Sequence, residues 1–295
     1  MNRLLLSLIW GCLIVASAVP AFSDCHDGHL DILLTNDDGF DRPGIRTVRD
    51  ALAAAGHRVT LAAPSHNYSG TGAALSLFAP IDVQKVGEGM FSIGATPATT
   101  VLFGAKVLFP AGRSPDLVVS GTNEGANVGA ATPISGTVGA AIAAITLLDP
   151  PVPAIALSAA LPEKNPLSDA NRRHFEDIAS FAARLVDALA ARSCGARLLP
   201  PRTALSVNYP ASSPRHVAGI AFARQGRRQF ADISFTEKEP GVYVVVLKPP
   251  TGRDDPHSDD ELLDGRFVTI SVLDGDYSTP ADSGSLVARL KSVKP

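Results

Sequence analysis

Short apolar runs alternate with helix-patterned stretches from Asp31 to Val207, and this alternation restricts the chain to an α/β fold. The run Ile32-Leu33-Leu34-Thr35 is too short for a helix and reads as a buried strand. Pro43 then suits a first helical turn. Ile45, Val48 and Leu52 fall on one face behind it, and Gly56 provides a stop. Arg58 to Ala63 reads as the next strand, and Asp82 to Ile93 as one or two short ones. Pro97 opens a second helix with Val101, Leu102, Ala105 and Leu108 on its face. Asp116 to Ser120 is a strand with β-branched residues at its centre. The apolar helix Val138 to Leu148 leads to a strand over Ala154 to Ser158. The longest helix, Asp169 to Arg192, turns Phe175, Ile178, Ala182, Leu185 and Leu189 inward and precedes a strand over Ala204 to Val207. Repeated strand–helix–strand units predict a mostly parallel sheet with helices on both faces, a three-layer arrangement.

Past Asn208 the pattern changes. Val217 to Ala223, Phe230 to Thr236 and Val242 to Leu247 read as strands, the last two joined by Glu239-Pro240-Gly241. This C-terminal β-hairpin, about residues 226–250, either covers the core or reaches a partner subunit. Arg253 to Glu261 reads as a polar, acidic loop, and Phe267 to Val272 as a late strand.

The 295 residues are 45% hydrophobic and 19% charged, as in a globular protein with a large core. A net charge of −3 gives no polyanion-binding surface, although a pocket for a single nucleotide stays open. Residues 1–23 read as a secretory signal peptide. Arg3 supplies the positive start, Leu4 to Val15 the apolar stretch, and Ala21-Phe22-Ser23 a cleavage box. The apolar stretch is short for a membrane span of about 20 residues. Export to the periplasm or the outside is therefore the expected localisation, with no membrane partner after removal. An exported compartment permits disulfides. Cys25 precedes the first strand and Cys194 follows the long helix, which puts both on one edge of the sheet. A Cys25–Cys194 bridge and two unpaired thiols both remain open.

Chemistry is concentrated at the predicted strand ends, where ligands bind in parallel α/β sheets. Asn36-Asp37-Asp38-Gly39 follows the first strand. Adjacent carboxylates repel each other unless a cation neutralises them. The same tetrapeptide also suits a turn, with Asp as a helix cap. Ser69-Gly70-Thr71-Gly72 offers hydroxyl and N–H groups after the second strand. Asn123 offers an amide oxygen suited to Mg²⁺ or Mn²⁺, and Asn127 is either a loop-orienting or a turn residue. Ser135-Gly136-Thr137 at a helix start is an anion site or an ordinary cap. His174 reads as a surface residue, and His57 and His66 as solvated flanks of the second strand. No dinucleotide glycine fingerprint follows the first strand, and no NTPase P-loop, zinc-spaced His/Cys cluster or Gly-x-Ser-x-Gly elbow occurs.

Several segments resemble, in order, the SurE family of metal-dependent nucleotidases and phosphatases. They are Ile32 to Gly39, Ala63 to Gly70, Asp116 to Gly129, Ser135 to Ala141, Leu205 to Pro210 and Ala223 to Arg228. The resemblance spans roughly residues 31–275 and makes 24–295 a single domain of that kind. It implies a Rossmann-like core and a hairpin that the family exchanges between subunits, hence a homodimer or homotetramer. It also implies one divalent cation per subunit, Mg²⁺ or Mn²⁺, held by Asp37, Asp38, Ser69 and Asn123. The implied activity is hydrolysis of nucleoside 5′- or 3′-monophosphates, or of phosphomonoesters more broadly. Asp37 and Asp38 would be catalytic, with Asn36, Gly70, Asn127, Ser135, Gly136 and Thr137 around the phosphate. A nucleotide-binding homologue without catalysis is the alternative. The chain departs from the family where it carries Ala130, Ala131, Ile134, Ala143 and Thr99, so substrate preference stays open.

Overall fold

A computed structural model describes residues 28–193, 197–278 and 291. The expected signal peptide and both Cys25 and Cys194, for which a bridge and unpaired thiols stay open, lie outside them.

The first strand and helix, β1 (Asp31–Thr35) and α1 (Pro43–Ala54), follow the predicted pattern, with Ile45, Val48 and Leu52 buried. Each such side chain contributes about 1.5–3 kcal/mol when withdrawn from water. Next come β2 (Arg58–Pro64), β3 (Val83–Gly87) and β4 (Met90–Ile93). Helix α2 (Pro97–Phe103) widens into a π-helical turn over Gly104–Leu108, so the expected single helix is in fact a composite. Strand β5 (Leu117–Asn123) runs further than expected, taking in Gly121 to Asn123. A 3-10 turn (Gly129–Ile134) leads into α3 (Gly136–Thr146). Then follow β6 (Ala154–Ala159), α4 (Asp169–Ser193), β7 (Ala204–Tyr209), β8 (Gly219–Phe222), β9 (Asp232–Glu239) and β10 (Val242–Lys248). The last elements are α5 (Asp259–Asp264) and β11 (Phe267–Leu273).

Nine strands form one sheet in the order β3-β4-β2-β1-β5-β6-β7-β11-β8. The central pairs are parallel, while β3 with β4 and β11 with β7 are antiparallel. Helices α1 and α4 cover one face, and α2 and α3 the other. Strand side chains alternate between the two cores. Ile32 and Leu34 face α1 and α4, and Leu33 faces α2 and α3. This is why β1 is apolar at consecutive positions. The chain leaves β1 for β2 on one side, then returns from β4 to place β5 on the other. The crevice beyond the carboxyl ends of β1 and β5 is thus the topological switch point, where open α/β sheets bind ligands.

The hairpin β9–β10 forms a separate antiparallel ribbon with most of its residues exposed, so it does not cover the core. The acidic stretch expected as a loop contains α5. Ser258 caps it by accepting the Glu261 N–H at 3.4 Å, and Asp259, Asp260 and Glu261 occupy the first turn, where negative charge suits the helix dipole.

Two histidines expected at the surface are buried. His174 Nε2 lies 3.1 Å from the Ala160 carbonyl, and its ring meets Tyr209 edge-on. It shares the inward face of α4 with Asn171, Phe175 and Ile178, a three-and-four spacing that reveals its burial. His57 Nδ1 accepts the Leu30 N–H at 3.3 Å, with Asp187 3.3 Å from Nε2. Burial depresses both imidazoles, against an opposing pull from Asp187 on His57. The folded state therefore favours the neutral rings. Their stabilisation is complete above the ordinary value of 6.5 and is lost as pH falls below it toward the depressed values. Thermal melts across this range will show a falling melting temperature, and the His57→Gln/His174→Gln pair will flatten the slope. An unchanged slope would remove the histidines as its source.

Candidate metal and phosphate site

Asn36 makes the turn that presents the two aspartates. Its Nδ2 donates to Gly39 O at 2.8 Å, and its Oδ1 accepts the Gly39 N–H at 3.3 Å. Both ends of the Asn36 amide, expected at the phosphate, are engaged in this turn. Gly39 takes a positive φ of 124° to close it. Asp37 is 2% exposed and Asp38 8% exposed. The Thr137 hydroxyl donates to Asp37 Oδ1, and the N–H groups of Gly136 and Thr137 also face that carboxylate. A Cβ on residue 136 would lie 2.8 Å from Asp37 Oδ2, so only glycine lets the start of α3 approach this closely. Asp38 Oδ2 accepts the Glu124 N–H at 2.9 Å.

The segments bearing the other expected ligands are tied to the aspartates by the hydrogen bonds of their neighbours Tyr68 and Glu124. The Tyr68 N–H donates to Asp37 O at 2.8 Å and pins the following loop beside the acids. Ser69 stands exposed on that loop with its N–H held by Asn67 Oδ1 at 2.8 Å. Gly70 follows with a φ of 81° and open space where a Cβ would be. Asn123 ends β5, and its Nδ2 donates to Gly125 O at 2.8 Å, which leaves the oxygen end for a cation.

Asn127 and Ser135 have supporting positions. Asn127 Nδ2 donates to Ser158 Oγ at 2.9 Å, its N–H donates to Asn208 Oδ1 at 2.7 Å, and its carbonyl accepts from Asn208 Nδ2 at 3.2 Å. These bonds tie the glycine-rich loop to β6 and β7. Ser135 Oγ accepts the Val138 N–H at 3.1 Å, the ordinary cap considered for it. Thr137, expected at the phosphate, spends its hydroxyl on Asp37.

Burial raises the Asp37 carboxyl, and burial with the adjoining Asp37 charge pushes Asp38 up to about 8. Such a pair is costly without a positive counter-charge. The nearby Arg42 guanidinium does not supply it by contact, because it forms a fork on Glu124 at 2.8 and 2.6 Å. Among the described residues no three His, Cys, Asp or Glu side chains form a metal cluster. A cation here would therefore take two carboxylates plus the neutral oxygens of Ser69 and Asn123, an all-oxygen set that fits Mg²⁺ or Mn²⁺. A cavity of about 690 Å³ lies beyond the 3-10 turn, between Pro133, Val138 and Ile142 and the strands β8 and β11. None of the four expected ligands lines it, so it is separate from the acid crevice.

Sequence reasoning missed Arg42, Glu124, Ser158 and Asp259. Asp259 Oδ1 accepts the N–H of Gly129 at 3.0 Å and that of Gly226 at 2.8 Å, fastening the turn before α3 to the segment after β8. The Ser-x-x-Glu spacing of Ser258 and Glu261 was the available signal for α5. Asp259→Ala removes the acceptor of three buried N–H groups, those of Gly129, Gly226 and Asp260, at about 1–3 kcal/mol for each left unpaired. Denaturant melts will show a loss of at least ~2 kcal/mol, and a loss under ~0.5 kcal/mol would mean that water replaces the carboxylate.

Comparisons with known proteins agree with this fold. A family model described as "Survival protein SurE" matches residues 32–232. A "5'-nucleotidase SurE" of Pelobacter propionicus is 37% identical over 255 residues, covering 85% of this chain and 96% of that protein. Another, from Thermosynechococcus vestitus, is 31% identical over 277 residues, covering 90% and 98%. The crystal structure of the SurE protein from Aquifex aeolicus superposes with a TM-score of 0.72 at 29% identity, covering 88% of this chain and 98% of that one. With two strand ends, a pinned loop and a helix start meeting at one acid pair, and with these matches spanning most of its length, the chain belongs to the SurE family.

Proposed function

We propose that the protein is a metal-dependent phosphomonoesterase that hydrolyses nucleoside 5′- or 3′-monophosphates to nucleoside and phosphate. The observation that carries this reading is the buried Asp37–Asp38 pair at the β1/β5 switch point, joined there by Asn123, Ser69 and the start of α3. The similar proteins named 5'-nucleotidase support it. Asp37, Asp38, Ser69 and Asn123 would hold one Mg²⁺ or Mn²⁺, which supplies Lewis-acid polarisation of the phosphoryl oxygens. Thr137 fixes the rotamer of Asp37, and the Glu124 N–H fixes Asp38. The carboxylate of Asp38 accepts a proton from the attacking water as a secondary role. Water adds to phosphorus as the ester P–O bond breaks, the leaving alkoxide takes a proton from solvent, and Asp38 returns its proton to water.

Phosphate release from AMP, 3′-AMP and p-nitrophenyl phosphate, with Mn²⁺, with Mg²⁺ and with chelator, tests this reading. Metal-dependent turnover of a nucleotide supports it, and tight binding without turnover favours a non-catalytic homologue. A broad-specificity phosphatase is the second reading. The turn before α3 carries Ala130, Ala131 and Ile134, none of which can hydrogen-bond a leaving group through its side chain.

We also propose export to the periplasm or beyond, from the leader-like residues 1–23, testable by cell fractionation. A homodimer or homotetramer formed through β9–β10 is supported by exposed Ile233, Phe235, Tyr243, Val245 and Leu247. Light scattering of wild type and Phe235→Asp tests it.

A further inference from the structure

Arg42 and Glu124 come from different strand ends, 82 positions apart, and meet in a two-point fork at 2.8 and 2.6 Å. Arg42 directly precedes α1, its N–H donating to Gly39 O at 3.4 Å in the turn that follows the aspartates, and Glu124 follows Asn123 directly. The same Glu124 donates its backbone N–H to Asp38 at 2.9 Å. The Glu124 side chain is 9% exposed and that of Arg42 29% exposed, so the pair is partly withdrawn from water. A bidentate guanidinium–carboxylate fork fixes orientation as well as distance. This one spans the gap between the segment bearing Asp37 and Asp38 and the segment bearing Asn123.

We infer that the Arg42–Glu124 fork is a positioning clamp that sets the spacing of the cation's ligands across the β1/β5 crevice. The inference rests on the metal reading above. Neither side chain is a ligand in it. Arg42 holds Glu124, and Glu124 carries Asn123 and the N–H that orients Asp38, so the fork ties the segments that bear these residues to one another. Supporting residues of this kind change metal affinity about 10–100-fold when removed.

The clamp and a plain charge effect predict different signs. If the side chains acted only through their charges, removing positive Arg42 would strengthen cation binding and removing negative Glu124 would weaken it. A clamp loses its function when either half is missing. Calorimetric titration of the purified full chain with Mn²⁺ separates the two. Arg42→Ala and Glu124→Ala should each weaken binding about 10-fold or more, with the double variant no worse than the weaker single one. Arg42→Lys should recover only part, because an ammonium cannot form the fork. Glu124→Gln, which keeps shape and one acceptor, serves as the second variant, and circular dichroism checks folding. Opposite signs for the two alanine variants, additive effects, or wild-type affinity in both would overturn the clamp while leaving the metal site standing. Absence of Mn²⁺ binding by the wild-type protein would overturn both.

Discussion

Asp38→Asn lowers metal-dependent phosphate release from AMP by at least about 100-fold and at the same time raises the melting temperature of the metal-free protein. The first effect follows from the loss of a charged ligand. A cation that supplies several kcal/mol of charge stabilisation is worth a factor of 10 per 1.36 kcal/mol, so even partial loss of its site is severe. The second follows from burial. In the metal-free fold Asp38 is pushed from 3.8 up to about 8 by its surroundings and by Asp37. The folded state thus disfavours its charge. The penalty is absent below 3.8, grows as pH rises, and is nearly complete at about 8. At neutral pH it is on the order of a few kcal/mol. Asparagine has the same shape, stays neutral, and its amide oxygen can still accept the Glu124 N–H.

Melts in chelator should therefore rank the variant above wild type by at least about 5 °C. Excess Mn²⁺ should narrow or close that gap, because ligand present at about 100 times its Kd stabilises only the binding-competent protein, by about 2.7 kcal/mol. A variant that kept full turnover, or that melted no higher than wild type in chelator, would show that Asp38 is not a buried ligand.

The parts legible in the sequence are those governed by short spacings. Ile32, Leu33 and Leu34 announce a strand buried on both faces because each core takes alternate side chains. Ile45, Val48 and Leu52 announce a helix because they recur at helical spacing. Asp37 and Asp38 mark a turn or a cation site because like charges are adjacent in the chain itself, and the fold places both, buried, at the β1/β5 switch point. The missed parts depend on residues that meet only after folding. Nothing local to Arg42 or Glu124 indicates a fork across 82 positions. Thr137 looks like any hydroxyl at a helix start until the sheet brings Asp37 beneath it, 100 positions away. His174 differs from its expected surface position for another reason. Its spacing places it on the inward face of α4, although a polar residue in a long helix ordinarily meets solvent. The fold instead supplies the Ala160 carbonyl as its partner.

Gly139→Ala destabilises the protein and weakens the site together, although glycine to alanine inside a helix ordinarily stabilises by roughly 0.5–1 kcal/mol. Gly139 lies in α3, and its open Cα faces the backbone of the loop that carries Ser69. A Cβ there would stand 2.6 Å from Ala73 N and closer still to the Gly72 carbonyl. These are backbone atoms with no rotamer to change. Gly72 is itself held by its N–H to Ile134 O at 2.9 Å and by a φ of 55°. The methyl can be accommodated only by separating the loop from α3, at an overpacking cost of about 1–3 kcal/mol that exceeds the helix-propensity gain. That movement carries Ser69 away from Asp37 and Asp38, while the bond from Tyr68 N to Asp37 O resists it. Denaturant unfolding should thus show a net loss of about 1–2 kcal/mol, and Mn²⁺ titration a weaker site, with Asp37 and Asp38 both intact. If Gly139→Ala proved as stable as wild type, the contact between the Ser69 loop and α3 would be too loose to position a ligand. If it lost stability but bound Mn²⁺ unchanged, the loop would be structural and Ser69 no part of the cation's shell.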